Sequence, residues 1–269
     1  MFDVVVIGSG PAGYVAAIRA SQLGLKTLCI EELSNDKGKP NFGGTCLNVG
    51  CIPSKSLLDS SHRYYEAKKN LSDHGIQLGD VKLDLKTMME RKDNIVSKLT
   101  GGIDGLFLTN KVESICGKGK VISKNTVQID KADGSSEKVD AKNIIIATGS
   151  SPIEIPAASF GKHIVDSTGA LAFDSVPKRL GVVGAGIIGL ELGSVWSRLG
   201  SEVTVIEALE DFLPMTDTDI SKESLKEFKK QGLDIQLASK VTSTKELKNL
   251  VKVKSVSYTH LTLPTKRIV

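Results

Sequence analysis

Two cysteines five positions apart are the residues of this chain best placed to do chemistry. Cys46 and Cys51 lie in the segment Gly43–Lys55, which also contains Gly50 and Pro53. Five residues of regular helix rise by about 7.5 Å, which is beyond the reach of a disulfide. Glycine and proline allow the backbone to distort. The segment therefore predicts a strained, accessible and readily reduced disulfide between Cys46 and Cys51.

Metal binding and a purely structural disulfide are the alternatives for this pair. A zinc site needs three or four ligands, but the chain has no second close cysteine pair and its four histidines are scattered. A structural disulfide closing so short a loop would add little stability in a reducing compartment. We favour redox chemistry and expect no metal. A helix predicted over 54–66 would begin near the thiols and favour a thiolate.

A duplicated glycine motif supplies the elements that must position this chemistry. Residues 3–32 and 179–208 each contain an apolar strand, Gly-x-Gly-x-x-Gly, an apolar helix, a second strand and an acid. The glycines permit a tight turn, close approach of the backbone to a pyrophosphate and close helix packing, and the helix N-terminus attracts phosphate. The acid can accept both hydrogen bonds from an adenosine ribose. Two dinucleotide sites are predicted, at Gly8, Gly10, Pro11, Ala12, Gly13 and Glu31, and at Gly184, Gly186, Ile187, Ile188, Gly189 and Glu207.

The acid of the second copy also discriminates between NAD and NADP. Glu207 lies in a segment, residues 205–211, with three acids and no arginine or lysine. A 2′-phosphate is accommodated by a nearby arginine and is repelled by an acid. The second site is therefore predicted to bind NAD.

From Phe2 to about Val253 the chain resembles the pyridine nucleotide–disulfide oxidoreductases. The segment Gly43–Lys55 is similar to their redox-active disulfide motif, and its last four residues, Ile-Pro-Ser-Lys, are similar to the form found in dihydrolipoamide dehydrogenases. The insert at 36–40 resembles the bacterial branch that serves 2-oxo acid dehydrogenase complexes. The resemblance implies an α/β fold with two doubly wound, Rossmann-like dinucleotide-binding domains, the second incomplete.

The resemblance also implies a role for individual residues. FAD would occupy the first glycine motif and NAD the second, with Cys46 as the interchange thiol that meets a dithiol substrate and Cys51 facing the flavin. Lys55 would lie near the flavin and pair with Glu191. Without the resemblance, Lys55 is a solvated helix lysine and Glu191 an acid stabilised by a helix dipole. Further FAD contacts are implied at Gly44, Thr45, Lys55, Gly119, Thr148, Gly149 and Ser150, and further NAD contacts at Glu191 and Val241.

The implied reaction is oxidation of a protein-bound dihydrolipoyl group, with electrons passing through the cysteine pair to FAD and then as hydride to NAD⁺. The implied partners are the lipoyl domain of a 2-oxo acid dehydrogenase complex and, for the parent enzyme, a second copy in a homodimer. Two alternatives stay open. One is another disulfide reductase of this family, of the mercuric or glutathione reductase type, and the other is a non-catalytic flavin-binding fragment.

The resemblance covers little more than half of a full-length member. It predicts a flavin domain over 1–150 without its later segment, a truncated NAD domain over 151–254, and a non-native tail over 255–269. The interface domain with its acid–base histidine has no counterpart, and none of the four histidines of the chain fits that role. We therefore expect this chain to be an inactive fragment of an active parent.

Composition excludes several other classes of function. The net charge of +4 is spread along the chain without a dense basic block, so nucleic-acid binding is not expected. No apolar run approaches the roughly 20 residues that a membrane helix needs. A strand predicted to begin at Phe2 leaves no room for a leader, which favours a cytoplasmic protein.

Overall fold

The computed structural model describes residues 1–35 and 38–257. Most of the predicted tail, residues 258–269, and part of the predicted insert lie outside the described residues. The chain divides into two compact units, one formed by residues 1–56 and 89–151 and the other by residues 57–88 and the chain from 152 onward. The predicted boundary after residue 150 is close to this division. Residues 57–88, which the sequence assigned to the first domain, belong instead to the second unit.

The first unit is built on a six-stranded sheet with the order β3-β2-β1-β6-β5-β4, in which β3, β2, β1 and β6 are parallel and β5 and β4 are antiparallel additions. The parallel part has the strand order of a doubly wound dinucleotide-binding domain. Helices α3 and α4 extend in sequence past the limits of this unit. Its elements are β1 (Phe2–Ile7), α1 (Pro11–Gln22), β2 (Thr27–Glu31), α2 (Gly44–Val49), α3 (Cys51–Lys69), α4 (Leu85–Thr109), β3 (Glu113–Cys116), β4 (Lys118–Ser123), β5 (Thr126–Asp130) and β6 (Ser136–Ile146).

Strand β1 is buried on both faces, as parallel strands between helices or sheets usually are. Val4 and Val6 pack into one apolar cluster with the helices, and Val5 and Ile7 pack into a second cluster on the opposite face. Burying a side chain of this kind stabilises the fold by about 1.5–3 kcal/mol. The glycine loop that follows β1 is therefore carried on one of the most deeply buried strands of the unit.

The second unit contains a three-stranded parallel sheet, β7-β8-β9, and a separate antiparallel hairpin, β10-β11. Trp196 is fully buried in α6, and its indole N–H donates to the carbonyl oxygen of Ala170 at 3.1 Å. The elements are a short 3₁₀ helix (Leu71–His74), α5 (Ser167–Ala170), β7 (Arg179–Val183), α6 (Ile187–Leu199), β8 (Glu202–Ile206), α7 (Thr218–Lys230), β9 (Leu233–Gln236), β10 (Ser239–Leu247) and β11 (Leu250–Ser257).

Strand β11 continues past the limit predicted for the native chain. Residues 255–257 pair in register with residues 239–241 of β10. The backbone hydrogen bonds of the hairpin therefore extend three residues beyond residue 254, where the sequence placed the start of a non-native tail.

The register of the first sheet brings the candidate residues together. Ile7 at the end of β1 pairs with Ile30 of β2 and with Ile146 of β6. Because these strands are parallel, Gly8, Glu31 and Ala147 follow at the same edge of the sheet. The predicted α/β, dinucleotide-binding fold is confirmed. In the described part of the chain, no helix is long and apolar enough to cross a membrane.

Candidate functional site

The glycine loop after β1 joins the strand to α1 with no room for side chains at two of its positions. A Cβ atom at Gly13 would lie 1.9 Å from the carbonyl oxygen of Gly8, and a Cβ at Gly8, where φ is +98°, would lie 2.2 Å from that of Ala147. Gly10 is different, because its nearest neighbour would be the Cα of Gly44 at 3.8 Å. The outer glycines are therefore needed for the fold, whereas Gly10 leaves open space beside the loop.

The start of α1 supports phosphate binding at this open space. Its N-cap is Gly10, which makes no side-chain cap hydrogen bond, and its first turn contains the predicted contacts Pro11 and Ala12. By contrast, the carboxylates of Asp166 and Asp217 cap the first N–H groups of α5 and α7. Uncapped N–H groups at a helix N-terminus form a site for an anion.

The second glycine loop repeats this geometry between β7 and α6. Gly184 has a φ of +100°, and a Cβ at Gly189 would lie 2.4 Å from the carbonyl oxygen of Gly184. A Cβ at Gly186 would meet nothing within 4 Å, and Gly186 is the N-cap of α6 without a side-chain partner. Ile187 and Ile188, in the first turn of α6, are more than 60% exposed beside this space.

The acids that follow the second strands make matching hydrogen bonds. Glu31 accepts from the backbone N–H of Ser9 at 2.9 Å and of Leu33 at 2.8 Å. Glu207 accepts from the backbone N–H of Ala185 at 2.8 Å and of Leu209 at 2.9 Å. Each carboxylate is thereby held against its own glycine loop, where an adenosine ribose is expected.

The two cysteines lie on consecutive helices and contact each other. Helix α2 carries Cys46 and ends before Gly50, and α3 begins at Cys51, three residues earlier than predicted. A Cβ at Gly50 would lie 2.8 Å from the carbonyl oxygen of Thr45, so the chain turns back on α2 at this point. The thiols of Cys46 and Cys51 are unbridged, and they lie close enough for the Cys51 side chain to affect the pKa of Cys46. The predicted distortion is confirmed at Gly50, whereas Pro53 lies in the first turn of α3, where its missing N–H costs no helical hydrogen bond.

The environment of Cys46 favours the neutral thiol. Burial raises the pKa of Cys46 above its ordinary value, and the Cys51 side chain raises it further. The backbone N–H of Cys51 and the charge of Lys55 act in the opposite direction. For Cys46, burial therefore outweighs the groups that favour a thiolate near the helix start. Cys46 is half-buried and Cys51 exposed, so exposure by itself does not assign Cys46 as the thiol that meets a substrate.

The cysteine helix is fixed directly to the first glycine loop. Gly44, where φ is +57°, touches Gly10 so closely that a Cβ would lie 2.6 Å from the Gly10 Cα. The backbone N–H of Gly43 donates to the carbonyl oxygen of Ser9 at 3.0 Å. The hydroxyl of Thr45 donates to the carbonyl oxygen of Ser150 at 3.4 Å. The structure thus brings the predicted flavin contacts Gly44, Thr45, Thr148, Gly149 and Ser150 to one edge of the sheet.

The remaining predicted residues are distributed over both units. Gly119 lies on β4, and a Cβ there would come within 2.8 Å of Ile7, so packing alone already requires glycine. Lys55 is exposed near the start of α3, and its pairing with Glu191 of α6 stays a prediction. Val241 on β10 is buried and can offer a ligand only its backbone. Within residues 1–35 and 38–257, no three histidine, cysteine or acidic side chains are grouped as metal ligands.

Comparison with known proteins identifies this arrangement. The family model described as pyridine nucleotide-disulphide oxidoreductase matches residues 2–268. The chain belongs to this family. A pyridine nucleotide-disulphide oxidoreductase joins two dinucleotide sites to a redox-active cysteine pair, which agrees with the two glycine loops and the contact between Cys46 and Cys51.

Individual relatives of the family narrow the comparison. The chain is 55% identical over 240 residues to a leghemoglobin reductase of Vigna unguiculata, covering 89% of this chain and 45% of that protein. It is 52% identical over 252 residues to the mitochondrial dihydrolipoyl dehydrogenase 1 of Arabidopsis thaliana, covering 93% and 48%. The structure of the HOCl-induced flavoprotein disulfide reductase RclA of Escherichia coli matches with a TM-score of 0.78 and 28% identity, covering 94% of this chain and 53% of that one. The chain spans about half the length of the curated relatives it matches.

Asn48 and Ser9 also help to form the site, although the sequence analysis did not single them out. The side-chain amide of Asn48, between the cysteines, donates to the carbonyl oxygens of Phe42 at 3.1 Å and Gly44 at 2.9 Å, and accepts from Asn41 at 2.8 Å. It therefore ties α2 to the loop before it. Ser9 is fully buried and donates a second hydrogen bond, from its hydroxyl, to Glu31. The signal available in the sequence was a polar residue between the two cysteines, and another between the first two glycines of the loop.

Proposed function

We propose that this chain is the N-terminal half of a dihydrolipoyl dehydrogenase, an enzyme that oxidises protein-bound dihydrolipoyl groups and reduces NAD⁺. The observation that carries the proposal is the contact between the Cys46 and Cys51 thiols on helices fixed to the first glycine loop. The relatives named dihydrolipoyl dehydrogenase support the substrate class, since they are about half identical to this chain along most of its length.

The first unit fits FAD on three observations. Gly10 and the uncapped start of α1 leave space and N–H groups for a pyrophosphate, and Glu31 offers a carboxylate to a ribose. Lys55, Gly119 and residues 148–150 lie in the same unit and would complete the site. When bound, the flavin supplies a two-electron acceptor that links the dithiol to the nicotinamide. The residues of the first unit would hold the flavin, and the helices that carry Cys46 and Cys51 would keep the cysteine pair in place beside the first glycine loop.

The cysteine pair would act by thiol–disulfide exchange. In the oxidised protein, a thiolate of the dihydrolipoyl group attacks Cys46 Sγ, breaking the Cys46–Cys51 bond and releasing the Cys51 thiolate. The second lipoyl thiolate then attacks the mixed disulfide, which forms the lipoyl disulfide and releases Cys46. Two electrons and two protons pass to the cysteine pair, which becomes the free dithiol seen in the structure. The assignment of Cys46 as the attacked sulfur is part of the proposal.

The raised pKa of Cys46 makes proton transfer a requirement of this exchange. Cys46 is released as a thiolate and must then take up a proton. A positioned acid–base group commonly accelerates such a step by 10²–10⁴-fold. In the described part of the chain, the groups that shift the pKa of Cys46 are Cys51 and Lys55, and no histidine is among them. We therefore propose that full turnover needs a group beyond these residues.

The second unit is proposed to bind NAD through the loop from Gly184 to Gly189 and through Glu207. The Glu207 carboxylate is half-buried and accepts hydrogen bonds from two backbone N–H groups. It is therefore positioned to accept hydrogen bonds from ribose hydroxyls and to repel a 2′-phosphate. For the whole protein we propose a lipoyl domain of a 2-oxo acid dehydrogenase complex as partner, a homodimer as the active state, and a reducing compartment such as the cytoplasm.

A single-turnover thiol count tests the proposed function. The chain is oxidised, mixed with dihydrolipoamide, quenched by alkylation and analysed by mass spectrometry. We expect Cys46 and Cys51 to become alkylated only after dihydrolipoamide is added, and Cys46→Ser to abolish the response. Cys116→Ser is the matched control and should respond as the wild type does. Exchange that persists in Cys46→Ser would refute the proposed role of this thiol. Glutathione used in place of dihydrolipoamide tests the alternative of a glutathione reductase-like enzyme.

A further inference from the structure

Ser9 makes the two ribose-facing acids unequal. In the first copy, Oε2 of Glu31 accepts from both the backbone N–H and the hydroxyl of Ser9, and Oε1 accepts from the N–H of Leu33. In the second copy the position of Ser9 is occupied by Ala185, which has no hydroxyl. Glu207 therefore accepts only the N–H groups of Ala185 and Leu209, one on each oxygen.

The number of acceptor positions left on each carboxylate predicts how many ribose hydroxyls it can bind. An ionised carboxylate has about four lone-pair positions for hydrogen bonds. Three of them are used at Glu31, which leaves one on Oε1, whereas two are used at Glu207, which leaves one on each oxygen. An adenosine ribose presents two hydroxyl donors, the 2′ and the 3′.

Burial explains why the first acid has the extra donor. Glu31 is 5% exposed and Ser9 is fully buried, while Glu207 is half-buried. A buried carboxylate is costly unless hydrogen bonds replace the lost water. The Ser9 hydroxyl supplies one such bond, and the Ser9 backbone is held in place by the N–H of Gly43 at its carbonyl oxygen. The serine thus compensates desolvation and at the same time occupies an acceptor position of the acid.

We propose that Ser9 is a specificity-determining residue that limits Glu31 to one ribose hydroxyl, whereas Glu207 accepts both. The proposal rests on the proposed function, because it takes a dinucleotide to bind at each glycine loop. It assigns different ribose recognition to two loops that have the same glycine motif, and it derives that difference from a single hydroxyl group.

Binding of deoxyribose analogues to the purified 269-residue chain tests the proposal. The probes are FAD and NAD⁺ and their analogues lacking the 2′ or the 3′ hydroxyl of the adenosine ribose. We expect only one of the two FAD analogues to bind about tenfold more weakly than FAD, since a hydrogen bond to a charged group is lost. Both NAD⁺ analogues should bind about tenfold more weakly than NAD⁺.

The two copies provide reciprocal variants. Ser9→Ala should make FAD binding sensitive to the loss of either hydroxyl, and Ala185→Ser should make NAD⁺ binding sensitive to only one. The proposal is overturned if both FAD analogues lose affinity equally in the wild type and Ser9→Ala changes neither.

A second measurement separates this proposal from the proposed function. If neither dinucleotide binds, the proposed function fails for this chain, and the unfolding equilibria of Ser9→Ala, Glu31→Met and the double variant decide the role of Ser9. If the Ser9 hydroxyl bonds to the Glu31 carboxylate, the folding constant of the double variant should differ by about tenfold from the value obtained by multiplying the effects of the two single variants. Effects that multiply within twofold would show that Ser9 does not act on Glu31.

Discussion

Exchanging two glycines of one loop for alanine should separate folding from dinucleotide binding. In Gly13→Ala the new Cβ would lie 1.9 Å from the carbonyl oxygen of Gly8, a backbone atom that cannot move without opening the turn after β1. In Gly10→Ala the nearest atom would be 3.8 Å away, and the φ of −66° suits an L-residue. Gly13→Ala should therefore lower the stability of the folded protein, whereas Gly10→Ala should only fill the space beside the loop.

The magnitudes follow from these distances. Overpacking of this kind costs about 1–3 kcal/mol, and replacing a helical glycine by alanine returns up to about 1 kcal/mol. Because the Gly13 overlap involves backbone, we take the upper end of the overpacking range, about 3 kcal/mol, and expect Gly13→Ala to lose about 2 kcal/mol of stability after the gain of about 1 kcal/mol from alanine. Gly10→Ala should lose less than about 1 kcal/mol, the difference between glycine and alanine at an N-cap. Gly10→Ala should nevertheless bind FAD at least about tenfold more weakly, since the Cβ blocks approach of a pyrophosphate.

Urea unfolding and FAD fluorescence titration of both variants measure the two effects. Gly189→Ala and Gly186→Ala repeat the experiment in the second loop, where the corresponding distances are 2.4 Å and more than 4 Å. The reasoning would be refuted if Gly13→Ala had wild-type stability, or if Gly10→Ala bound FAD as tightly as the wild type.

Four further predictions concern single residues and the whole chain. Burial raises the pKa of Cys29 from 9.0 to about 12, so the folded state keeps a proton that the unfolded state loses. Above pH 9 the wild type should therefore lose stability relative to Cys29→Val by about 1.4 kcal/mol per pH unit, measured by urea unfolding at pH 9, 10 and 11; parallel curves would contradict this. Asn48→Leu, which releases α2 from the loop before it, should make the Cys46–Cys51 dithiol about tenfold harder to oxidise, a shift of about 30 mV in redox titration. Asn41→Ala should shift the potential less. An unchanged potential in Asn48→Leu would exclude a positioning role for Asn48. Glu207→Ala should weaken NAD⁺ binding by about 1.5–3 kcal/mol in calorimetric titration, and wild-type binding of NADP⁺ as tight as NAD⁺ would refute the assignment. With added FAD, the 269-residue chain should oxidise dihydrolipoamide at least tenfold more slowly than a typical enzyme's roughly 10 s⁻¹, and faster NADH production would contradict its description as a fragment.

The fold and much of the site are predictable because they depend on local rules. Each glycine motif specifies a turn, a helix start and an acid at fixed spacing, and both copies adopt the expected geometry, including the positive φ of Gly8 and Gly184. The break between Cys46 and Cys51 also follows from a local feature, the glycine at position 50. In these segments the residue type and its backbone conformation determine each other.

The features that the sequence did not predict depend on contacts between distant segments. The raised pKa of Cys46 follows from its burial against the core, which outweighs the opposing effects of the Cys51 backbone N–H and the Lys55 charge. The amide of Asn48 and the hydroxyl of Ser9 acquire their roles only when the loop before α2 and the acid of β2 are folded beside them. The assignment of residues 57–88 to the second unit is likewise a tertiary property that the spacing of motifs does not contain.

Redox titration of the four thiols of the chain tests the central claim most directly. The protein is equilibrated in thiol–disulfide buffers of increasing potential, alkylated and analysed peptide by peptide. We predict one two-electron transition in which Cys46 and Cys51 disappear together as a disulfide, while Cys29 and Cys116 remain thiols. Failure of Cys46 and Cys51 to form this disulfide, or its formation with Cys116 instead, would contradict the assignment of the cysteine pair as the redox centre.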